Sequence, residues 1–308
     1  MHKQITVSVM PTYQCNGNCP FCYLGSSIKQ KQVLDINTLQ HCLWSIKKRY
    51  QCRLNVEIFG GEITLLGYSY IKQLLDTCSE YSDTDVGIVT NLTNVDIVKR
   101  LIDQGYPIAV SWNKERGKIG NLAIDNLQSL SIEYSRQINL LIVCLPSILK
   151  QKPKDLLKQI DDLNIKSVSI LQYYPAIASK KHYNVSNADY QNYMIELIKQ
   201  FNSHQYNFSL TNLEQWKMRY DCKQSSNIFI APTGKFAVTM YNDDSYEYFY
   251  YFDDLSEYDK ICAHELSKYI TKCIKCSLFN NCLAEHLRFD QQTVCCGLPD
   301  LTEYVKSL

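Results

Sequence analysis

The sequence predicts an α/β protein built on a parallel sheet, either open or curved into a barrel, with helices outside. Two observations predict this class. From residue 4 to about 203, short runs of strand-forming residues alternate with longer runs of helical spacing. Six such βα units follow one another, and this order favours parallel strands joined by helices. The 308 residues, 45% of them apolar, are enough to bury a large core.

The six strand candidates are separated by segments in which apolar residues recur every three or four positions. The candidates are QITVSVM (4–10), LNVEIF (54–59), DVGIVT (85–90), PIAVSW (107–112), INLLIVCL (138–145) and SVSILQYY (167–174). In the helical segment DINTLQHCLWSIKKRY, Asp35 is a predicted N-cap, and Leu39, Leu43 and Ile46 share one face. Such folds bind ligands at the C-terminal ends of the strands, where the βα loops meet.

The pattern changes after residue 205, and we place a domain boundary there. NIFIAPTGKFAVTMY (227–241) is a predicted hairpin that turns at Thr233-Gly234. An aromatic, acidic stretch and a helical run follow, and a second group of cysteines lies near the end. The sequence therefore predicts a first domain over residues 1–205 and a smaller cysteine-rich domain over residues 206–308.

Charge and hydropathy argue against a nucleic-acid-binding protein and against a membrane protein. The chain has 32 Lys and Arg against 31 Asp and Glu, a formal net charge of +1. We therefore expect no nucleic-acid partner, since nucleic-acid-binding domains are usually strongly basic. No apolar run reaches the roughly 18 residues of a membrane span. The N-terminus shows no signal-peptide h-region, and we expect a cytoplasmic protein with no membrane partner.

Fourteen cysteines in a chain with no export signal point to metal ligands rather than to disulfides. They concentrate in two groups, one near each end of the sequence. Four others lie singly within apolar patterns, and we expect them to pack as small hydrophobic side chains. These four are Cys42, Cys52, Cys78 and Cys144.

The first group is CNGNCPFC (15–22), in the loop after the first strand candidate. Three thiolates suit an iron–sulfur cluster in which one iron lacks a protein ligand, because a [4Fe–4S] cluster normally takes four. A structural zinc site also requires four ligands. The spacing of Cys15, Cys19 and Cys22 therefore favours a cluster, with zinc as the alternative.

A Gly-Gly pair, in FGGEI (59–63), stands at the end of the second strand candidate. It is either a simple turn or a place where a ligand approaches the backbone. Together, CNGNCPFCY and GGE resemble the radical S-adenosylmethionine (SAM) superfamily. The hallmark of that family is CxxxCxxC, with an aromatic residue before the last cysteine and a GGE motif after strand two. The resemblance covers residues 4 to about 203 and implies a partial (βα)6 barrel.

The resemblance implies a chemistry and a set of cofactor-binding residues. A [4Fe–4S] cluster would bind SAM through its open iron and cleave it to a 5′-deoxyadenosyl radical, which abstracts a substrate hydrogen. Gly60, Gly61 and Glu62 would hold the methionine amino group of SAM. Ser111 would contact the ribose, and the backbone near Tyr23 would contact the adenine. Two further candidates at the same mouth are Asn91 and Gln172.

The second cysteine group begins with CIKCSLFNNC (273–282). As chemistry alone, these thiolates suit zinc or a second cluster equally. Beside a radical SAM barrel, the pattern resembles a SPASM domain, the auxiliary-cluster module of peptide-modifying members. The resemblance implies at least one auxiliary [4Fe–4S] cluster, with ligands Cys273, Cys276, Cys282 and one of Cys295 and Cys296.

A second auxiliary site is expected to be incomplete. Its motif retains Cys222, but Thr239 and His286 stand where two further cysteines belong. His286 and Cys262 could restore the site, since imidazole can replace thiolate on iron. If the site is lost, Cys222 is a free thiol that is either simply buried or a hydrogen donor to a substrate radical.

The resemblances imply an enzyme that modifies a ribosomally synthesised precursor peptide by a carbon–carbon or thioether crosslink, or by epimerisation. The expected partners are this peptide and an electron donor such as flavodoxin or ferredoxin. Because the predicted barrel begins at residue 4, we expect leader recognition by a separate protein or by the barrel itself. An anaerobic sulfatase maturase and a small-molecule dehydrogenase are alternatives of the same architecture. A zinc-dependent peptide-binding protein is an alternative from another class.

Overall fold

The computed structural model describes residues 4–173, 182–217, 227–239, 249–278 and 297–308, with only the backbone of 265, 266 and 268–273. The strands are β1 (Gln4–Val9), β2 (Arg53–Ile58), β3 (Ile88–Thr90), β4 (Ile108–Trp112), β5 (Ile138–Cys144), β6 (Ser167–Gln172), β7 (Ser209–Leu210), β8 (Asn227–Ile230), β9 (Phe236–Thr239) and β10 (Phe249–Phe252). The helices are α1 (Ile36–Tyr50), α2 (Tyr68–Tyr81), α3 (Val95–Ile102), α4 (Lys118–Ser129), α5 (Ile132–Ser135), α6 (Pro146–Leu149), α7 (Pro153–Asp161), α8 (Asn187–Asn202), α9 (Thr211–Lys217), α10 (Leu255–Cys273) and α11 (Pro299–Lys306). Among these helices, none has the length and hydropathy to cross a membrane.

The chain divides into two compact units. The first contains the described residues of 1–139, 226–239 and 248–259, and the second contains those of 140–225, 240–247 and 260–308. This grouping does not follow the boundary predicted near residue 205, because β8 pairs with β1 and carries its hairpin into the first unit. That residues 206–308 act as an auxiliary-cluster domain stays a prediction.

The sheet of the first unit is parallel around β1. This strand pairs in parallel with β2, from Gln4 opposite Arg53 to Val9 opposite Ile58, and with β8 on its other side. The strands β2, β3 and β4 follow in parallel, whereas β9 and β10 continue beyond β8 as antiparallel strands. The C-terminal ends of β1 to β4 therefore lie along one edge, as the sequence predicts.

Burial in this unit follows the predicted pattern. Ile5, Val7 and Val9 lie on one face of β1 and are fully buried, and Ser8 on the opposite face is also buried, as expected for a parallel strand that is covered on both faces. The helix α1 begins after Asp35, whose side chain accepts a hydrogen bond from the Thr38 backbone N. Its buried face contains the three predicted residues Leu39, Leu43 and Ile46. The predicted helix and its N-cap are confirmed.

The predicted hairpin is also confirmed, as β8 and β9 with the turn at Gly234. This residue has φ +81°, a left-handed conformation that favours glycine. A Cβ at this position would lie 2.5 Å from Thr38 Cγ2, on the first turn of α1. Both the turn and the contact with α1 therefore require glycine.

In the second unit, β6 pairs in parallel with β7, and α8 packs against α7 and α11. The buried face of α8 includes Tyr190, Met194 and Leu197. Gln191 on the same helix holds the N-terminus of α11. Its Oε1 accepts a hydrogen bond from Asp300 N (3.1 Å), and its Nε2 donates to Asp300 Oδ2 (2.9 Å).

Three of the four isolated cysteines pack as the sequence predicts. Cys42, Cys78 and Cys144 are buried, and burial raises the pKa of the Cys144 thiol to about 12. Cys52 is only half-buried. The three buried thiols therefore serve as small core side chains.

Candidate functional site

The three N-terminal cysteines lie in the loop after β1, at the C-terminal edge of the parallel strands. Cys15 N donates a hydrogen bond to Ile28 O (3.1 Å), and Cys22 N donates to Cys19 O (3.0 Å). These bonds fold the loop back on itself and keep the three thiols on one short segment. All three cysteines are half-buried.

Gly17 lies next to the sulfurs of both Cys15 and Cys19. A Cβ at this glycine would lie 3.4 Å from Cys15 Sγ and 3.6 Å from Cys19 Sγ. Gly17 N also donates a hydrogen bond to Cys15 Sγ at 3.3 Å. Such a bond stabilises the thiolate, which is the form that binds metal.

Burial opposes ionisation of these thiols. It raises the pKa of the Cys15 thiol to about 11, and the Glu62 carboxylate and the other two thiols act in the same direction. Burial also raises the pKa of the Cys19 thiol, although the Arg116 guanidinium opposes the shift. Burial therefore favours the protonated form of both thiols, and metal binding would have to release these protons.

Arg116 is a site residue that the sequence analysis missed. It lies in a short 3-10 turn after β4, and its guanidinium carbon is 5.8 Å from the ring centroid of Phe21. Phe21, the aromatic residue before the last cysteine, is buried. The Nε of Arg116 is buried and has no hydrogen-bond partner within the described ranges. A cation next to thiolates favours their charged form.

The donor set fits an iron–sulfur cluster by its chemistry. Three half-buried thiols, a backbone N–H donor and a nearby guanidinium suit a group that is bound by thiolates. Among the described side chains, no three of His, Cys, Asp or Glu converge on one metal-ion position. The ligands of a [4Fe–4S] cluster bind separate irons. The assignment of Cys15, Cys19 and Cys22 as ligands stays a prediction.

The GGE segment leaves β2 and lies directly against the cysteine loop. Gly61 N donates a hydrogen bond to Thr12 O (2.9 Å), and Glu62 N donates to Gln14 O (2.8 Å). A Cβ at Gly61 would lie 2.1 Å from Gln14 O, and one at Gly60 would lie 2.7 Å from Thr12 O. The two glycines are therefore required by contact between two backbone segments. This reason differs from the approach of a ligand that the sequence suggested.

Glu62 is a buried carboxylate that joins the ends of two strands. Its Oε1 accepts hydrogen bonds from Thr64 N (3.0 Å), from Thr64 Oγ1 and from Thr90 Oγ1 (2.7 Å). Its Oε2 accepts one from Asn91 N at 2.7 Å. Because a carboxylate offers about four acceptor positions, most of its capacity is used inside the protein. Contact of Glu62 with an amino group of SAM stays a prediction.

Asn91 follows β3 and reaches the cysteine loop. Its Nδ2 donates a hydrogen bond to Asn16 Oδ1 at 2.8 Å, and its Oδ1 accepts from Thr93 Oγ1 at 2.8 Å. Asn91 is buried, and its side-chain amide is engaged within the protein. The structure therefore brings Asn91 to the site through Asn16, a residue that the sequence analysis did not single out.

An apolar cluster packs the cysteine loop against strands β8, β9 and β10. The ring of Tyr23 meets that of Phe249 of β10 edge-on, with centroids 5.9 Å apart. The hydroxyls of Tyr13 and Tyr251 are 2.7 Å apart, and burial raises the pKa of Tyr13. The buried members of the cluster are Met10, Tyr13, Leu24, Phe229, Ala231, Ala237 and Phe249.

Two further predicted cofactor residues lie on strands of different units. Ser111 of β4 is in the first unit, where its Oγ donates a long hydrogen bond to Thr90 O (3.5 Å). Gln172, the last residue of β6, is in the second unit, where its Nε2 donates to Asn187 Oδ1 (2.6 Å). Ser111 therefore contacts the residue that precedes Asn91.

Most of the predicted auxiliary ligands lie outside the described residues. These are Cys222, Cys282, Cys295 and Cys296, together with His286. Cys273 is the last residue of α10, Cys276 is exposed and Cys262 is half-buried. Thr239 is the last residue of β9. The auxiliary cluster stays a prediction.

No family model and no curated protein matches this chain. Solved structures resemble it at low identity. Native anSMEcpe with bound AdoMet has a TM-score of 0.62 at 12% identity, over 98% of this chain and 96% of that chain. Streptococcus suis SuiB bound to the precursor peptide SuiA has a TM-score of 0.62 at 19% identity, over 94% of this chain and 75% of that chain. anSMEcpe with bound AdoMet and the Cp18Cys peptide matches with a TM-score of 0.62 at 11% identity, over 99% and 96%.

These structures are radical SAM enzymes, and at such identities the likeness shows the fold. The chain has their α/β architecture, with a largely parallel sheet in a (βα) barrel-like arrangement. The predicted α/β class is confirmed, and the small cysteine-rich domain stays a prediction.

Gly61→Ala should displace the cysteine loop, because the new Cβ would lie 2.1 Å from Gln14 O. We expect a loss of about 1–3 kcal/mol in the free energy of unfolding, as for other overpacked sites, and reduced iron uptake. Gly105→Ala is the control, since Gly105 has φ +83° and no heavy atom within 4 Å of its Cβ position. The control should cost about 1–2 kcal/mol through its left-handed backbone and keep its iron. Urea unfolding and iron analysis measure both effects. Wild-type stability and iron content in Gly61→Ala would contradict the described contact.

Proposed function

Because the chain has the radical SAM fold, we propose that it is a radical SAM enzyme that modifies a ribosomally synthesised peptide. The observation that carries this proposal is the packing of the loop that contains CNGNCPFC at the edge where such sheets bind ligands. Thr12 and Gln14 of this loop contact the GGE segment, and Asn16 contacts Asn91. The peptides present in the SuiB and anSMEcpe structures support a peptide substrate. The dehydrogenase and zinc alternatives gain no support from them.

In this proposal, Cys15, Cys19 and Cys22 hold a [4Fe–4S] cluster that, when bound, supplies the electron for cleavage of SAM to a 5′-deoxyadenosyl radical. The chain's own part is to hold and shield the thiols. Buried Phe21 and the apolar cluster restrict water around the loop. Arg116 places a positive charge next to the sulfurs.

We propose that SAM binds at the C-terminal edge of the sheet, beside the segment that follows β2 and beside β4. Gly60, Gly61 and Glu62 would receive the amino group, because Glu62 Oε2 accepts one hydrogen bond from the described part of the chain and has a second lone pair for an ammonium donor. Ser111 would contact the ribose, and the backbone at Tyr23 would contact the adenine. Gln172 stays a candidate on the strength of the resemblance alone.

The peptide product is proposed to be a crosslink or an inverted α-carbon. In both reactions the 5′-deoxyadenosyl radical takes one hydrogen atom from a peptide carbon. A crosslink would then require loss of a second electron together with a proton. An auxiliary cluster on Cys273, Cys276, Cys282 and one of Cys295 and Cys296 would be a suitable electron acceptor. Epimerisation would instead require that a thiol return one hydrogen atom, and the thiyl radical left behind would then take up an electron from the external donor and a proton from solvent. Cys222 is the proposed donor, because Thr239 and His286 replace two of its expected co-ligands.

A further partner follows from the electron that SAM cleavage requires. Cleavage of each SAM takes one low-potential electron, and we propose a flavodoxin or ferredoxin as its source. Recognition of the leader segment of the peptide is assigned to a separate protein or to the barrel. A cytoplasmic location, where such donors operate, stays an expectation.

Replacing Cys15, Cys19 and Cys22 together by alanine should abolish reductive cleavage of SAM to 5′-deoxyadenosine, because no thiolate is left to hold the cluster. The measurement is 5′-deoxyadenosine formed by reconstituted protein with dithionite under anaerobic conditions. Cys52→Ala is the control, since Cys52 is a half-buried cysteine elsewhere in the same unit, and it should keep the wild-type rate. Wild-type cleavage by the triple variant would overturn the assignment.

Cys222→Ala should keep the wild-type iron content of about eight per chain, at four per cluster, and keep SAM cleavage active, yet fail to form the correct product. Cys276→Ala is the comparison and should lose about four irons. In deuterated water, an epimerase adds one mass unit to the peptide, because a thiol hydrogen exchanges with solvent. A crosslinking enzyme gives a loss of two hydrogens. Full product from Cys222→Ala would show that this thiol is not the donor, and a loss of about four irons would show that it is a ligand.

A further inference from the structure

We infer that Asn16 is the positioning residue that links the cluster-binding loop to the sheet, and that breaking this link releases the cluster without unfolding the protein. The inference rests on the proposed function, because it concerns a cluster held by Cys15, Cys19 and Cys22. Asn16 directly follows the first of these cysteines.

The first step is a closed ring of side-chain hydrogen bonds. Asn16 Oδ1 accepts from Asn91 Nδ2 (2.8 Å), and Asn16 Nδ2 donates to Thr93 Oγ1 (2.9 Å). Thr93 Oγ1 in turn donates to Asn91 Oδ1 (2.8 Å). Both functional atoms of the Asn16 amide are therefore bonded to the loop after β3. Because two bonds fix the amide in orientation as well as in distance, Asn16 is held more firmly than by a single contact.

The second step is the anchoring of this ring in the sheet. Asn91 N donates to Glu62 Oε2, and Glu62 Oε1 accepts from Thr90 Oγ1 at the end of β3. Between Asn91 and Thr93, the buried residue Leu92 has φ 59°, a left-handed conformation that costs free energy for a side chain of this size. The ring therefore rests on a strained turn that the surrounding structure holds in place.

The position of Asn16 also affects the sulfurs of Cys15 and Cys19. The residue after Asn16 is Gly17, whose N–H donates to Cys15 Sγ and whose Cα lies beside both Cys15 and Cys19. A shift of Asn16 would therefore weaken the hydrogen bond from Gly17 N to Cys15 Sγ. It would also change the distance between the sulfurs of Cys15 and Cys19. Groups that orient metal ligands typically change metal affinity by about 10- to 100-fold when they are removed.

The exposure of Asn16 distinguishes a role in holding the cluster from a role in folding. Asn16 is exposed, so its truncation leaves no cavity in the core. Asn18, the other asparagine of CNGNC, is also exposed and provides a matched control of the same residue type in the same loop.

The experiment is a double-mutant cycle on reconstituted full-length protein, with Asn16→Ala, Asn91→Ala, the double variant and the control Asn18→Ala. The first readout is the rate at which a ferrous chelator removes iron, followed by the decay of iron–sulfur absorbance. The second readout is the urea midpoint of the metal-free protein. Neither readout depends on catalytic activity.

We expect Asn16→Ala to lose its cluster about 10-fold faster than wild type, with an unchanged urea midpoint. Asn18→Ala should lose it at the wild-type rate. In the Asn91→Ala background, Asn16→Ala should have no further effect, because the link is already broken. Equal rates for Asn16→Ala and Asn18→Ala, or independent effects of Asn16 and Asn91, would overturn the inference and leave the proposed function intact. If wild-type protein forms no iron–sulfur cluster, the proposed function fails as well.

Discussion

The site depends on the buried carboxylate of Glu62. A charge in the interior is tolerated only when donors surround it, and Glu62 takes its donors from Thr64, Thr90 and Asn91. These donors come from the segments that follow β2 and end β3, so one side chain fixes two βα loops at the same edge. Asn91 Nδ2 in turn donates a hydrogen bond to Asn16 Oδ1, and the backbone N of Glu62 donates one to Gln14 O. Both bonds hold the cysteine loop. The position of the cysteine loop therefore follows from satisfying one buried charge.

The second constraint is close contact between backbones, which explains the glycines better than ligand approach alone. Gly61 cannot carry a Cβ because the carbonyl of Gln14 occupies that space. On its other side the loop rests on β8 to β10, through rings such as Tyr23 against Phe249. The cysteine loop is therefore held by segments more than 200 residues away in the sequence. Tyr13 and Tyr251, whose hydroxyls are hydrogen-bonded, are separated by 238 residues.

Local patterns were sufficient to predict β1 to β6, the hairpin of β8 and β9 with its turn at Gly234, the N-cap of α1 and the position of the cysteine loop. Each of these is decided by residues that are close in sequence. The pairing of β8 with β1 was not predictable, because register between distant strands leaves no local signal. Asn16 and Arg116 look like ordinary surface residues in the sequence. Their roles depend on partners such as Thr93, which is 77 residues away from Asn16.

The central claim is that the CNGNCPFC loop holds a cluster with an iron open to SAM. The most direct test is electron paramagnetic resonance of the dithionite-reduced protein, in a variant with Cys273, Cys276 and Cys282 changed to alanine. Only the barrel cluster should then contribute to the spectrum. The account predicts that SAM changes the g-values of this signal, because it binds at the open iron. A cluster signal that SAM leaves unchanged, or a protein that forms no cluster, would contradict it.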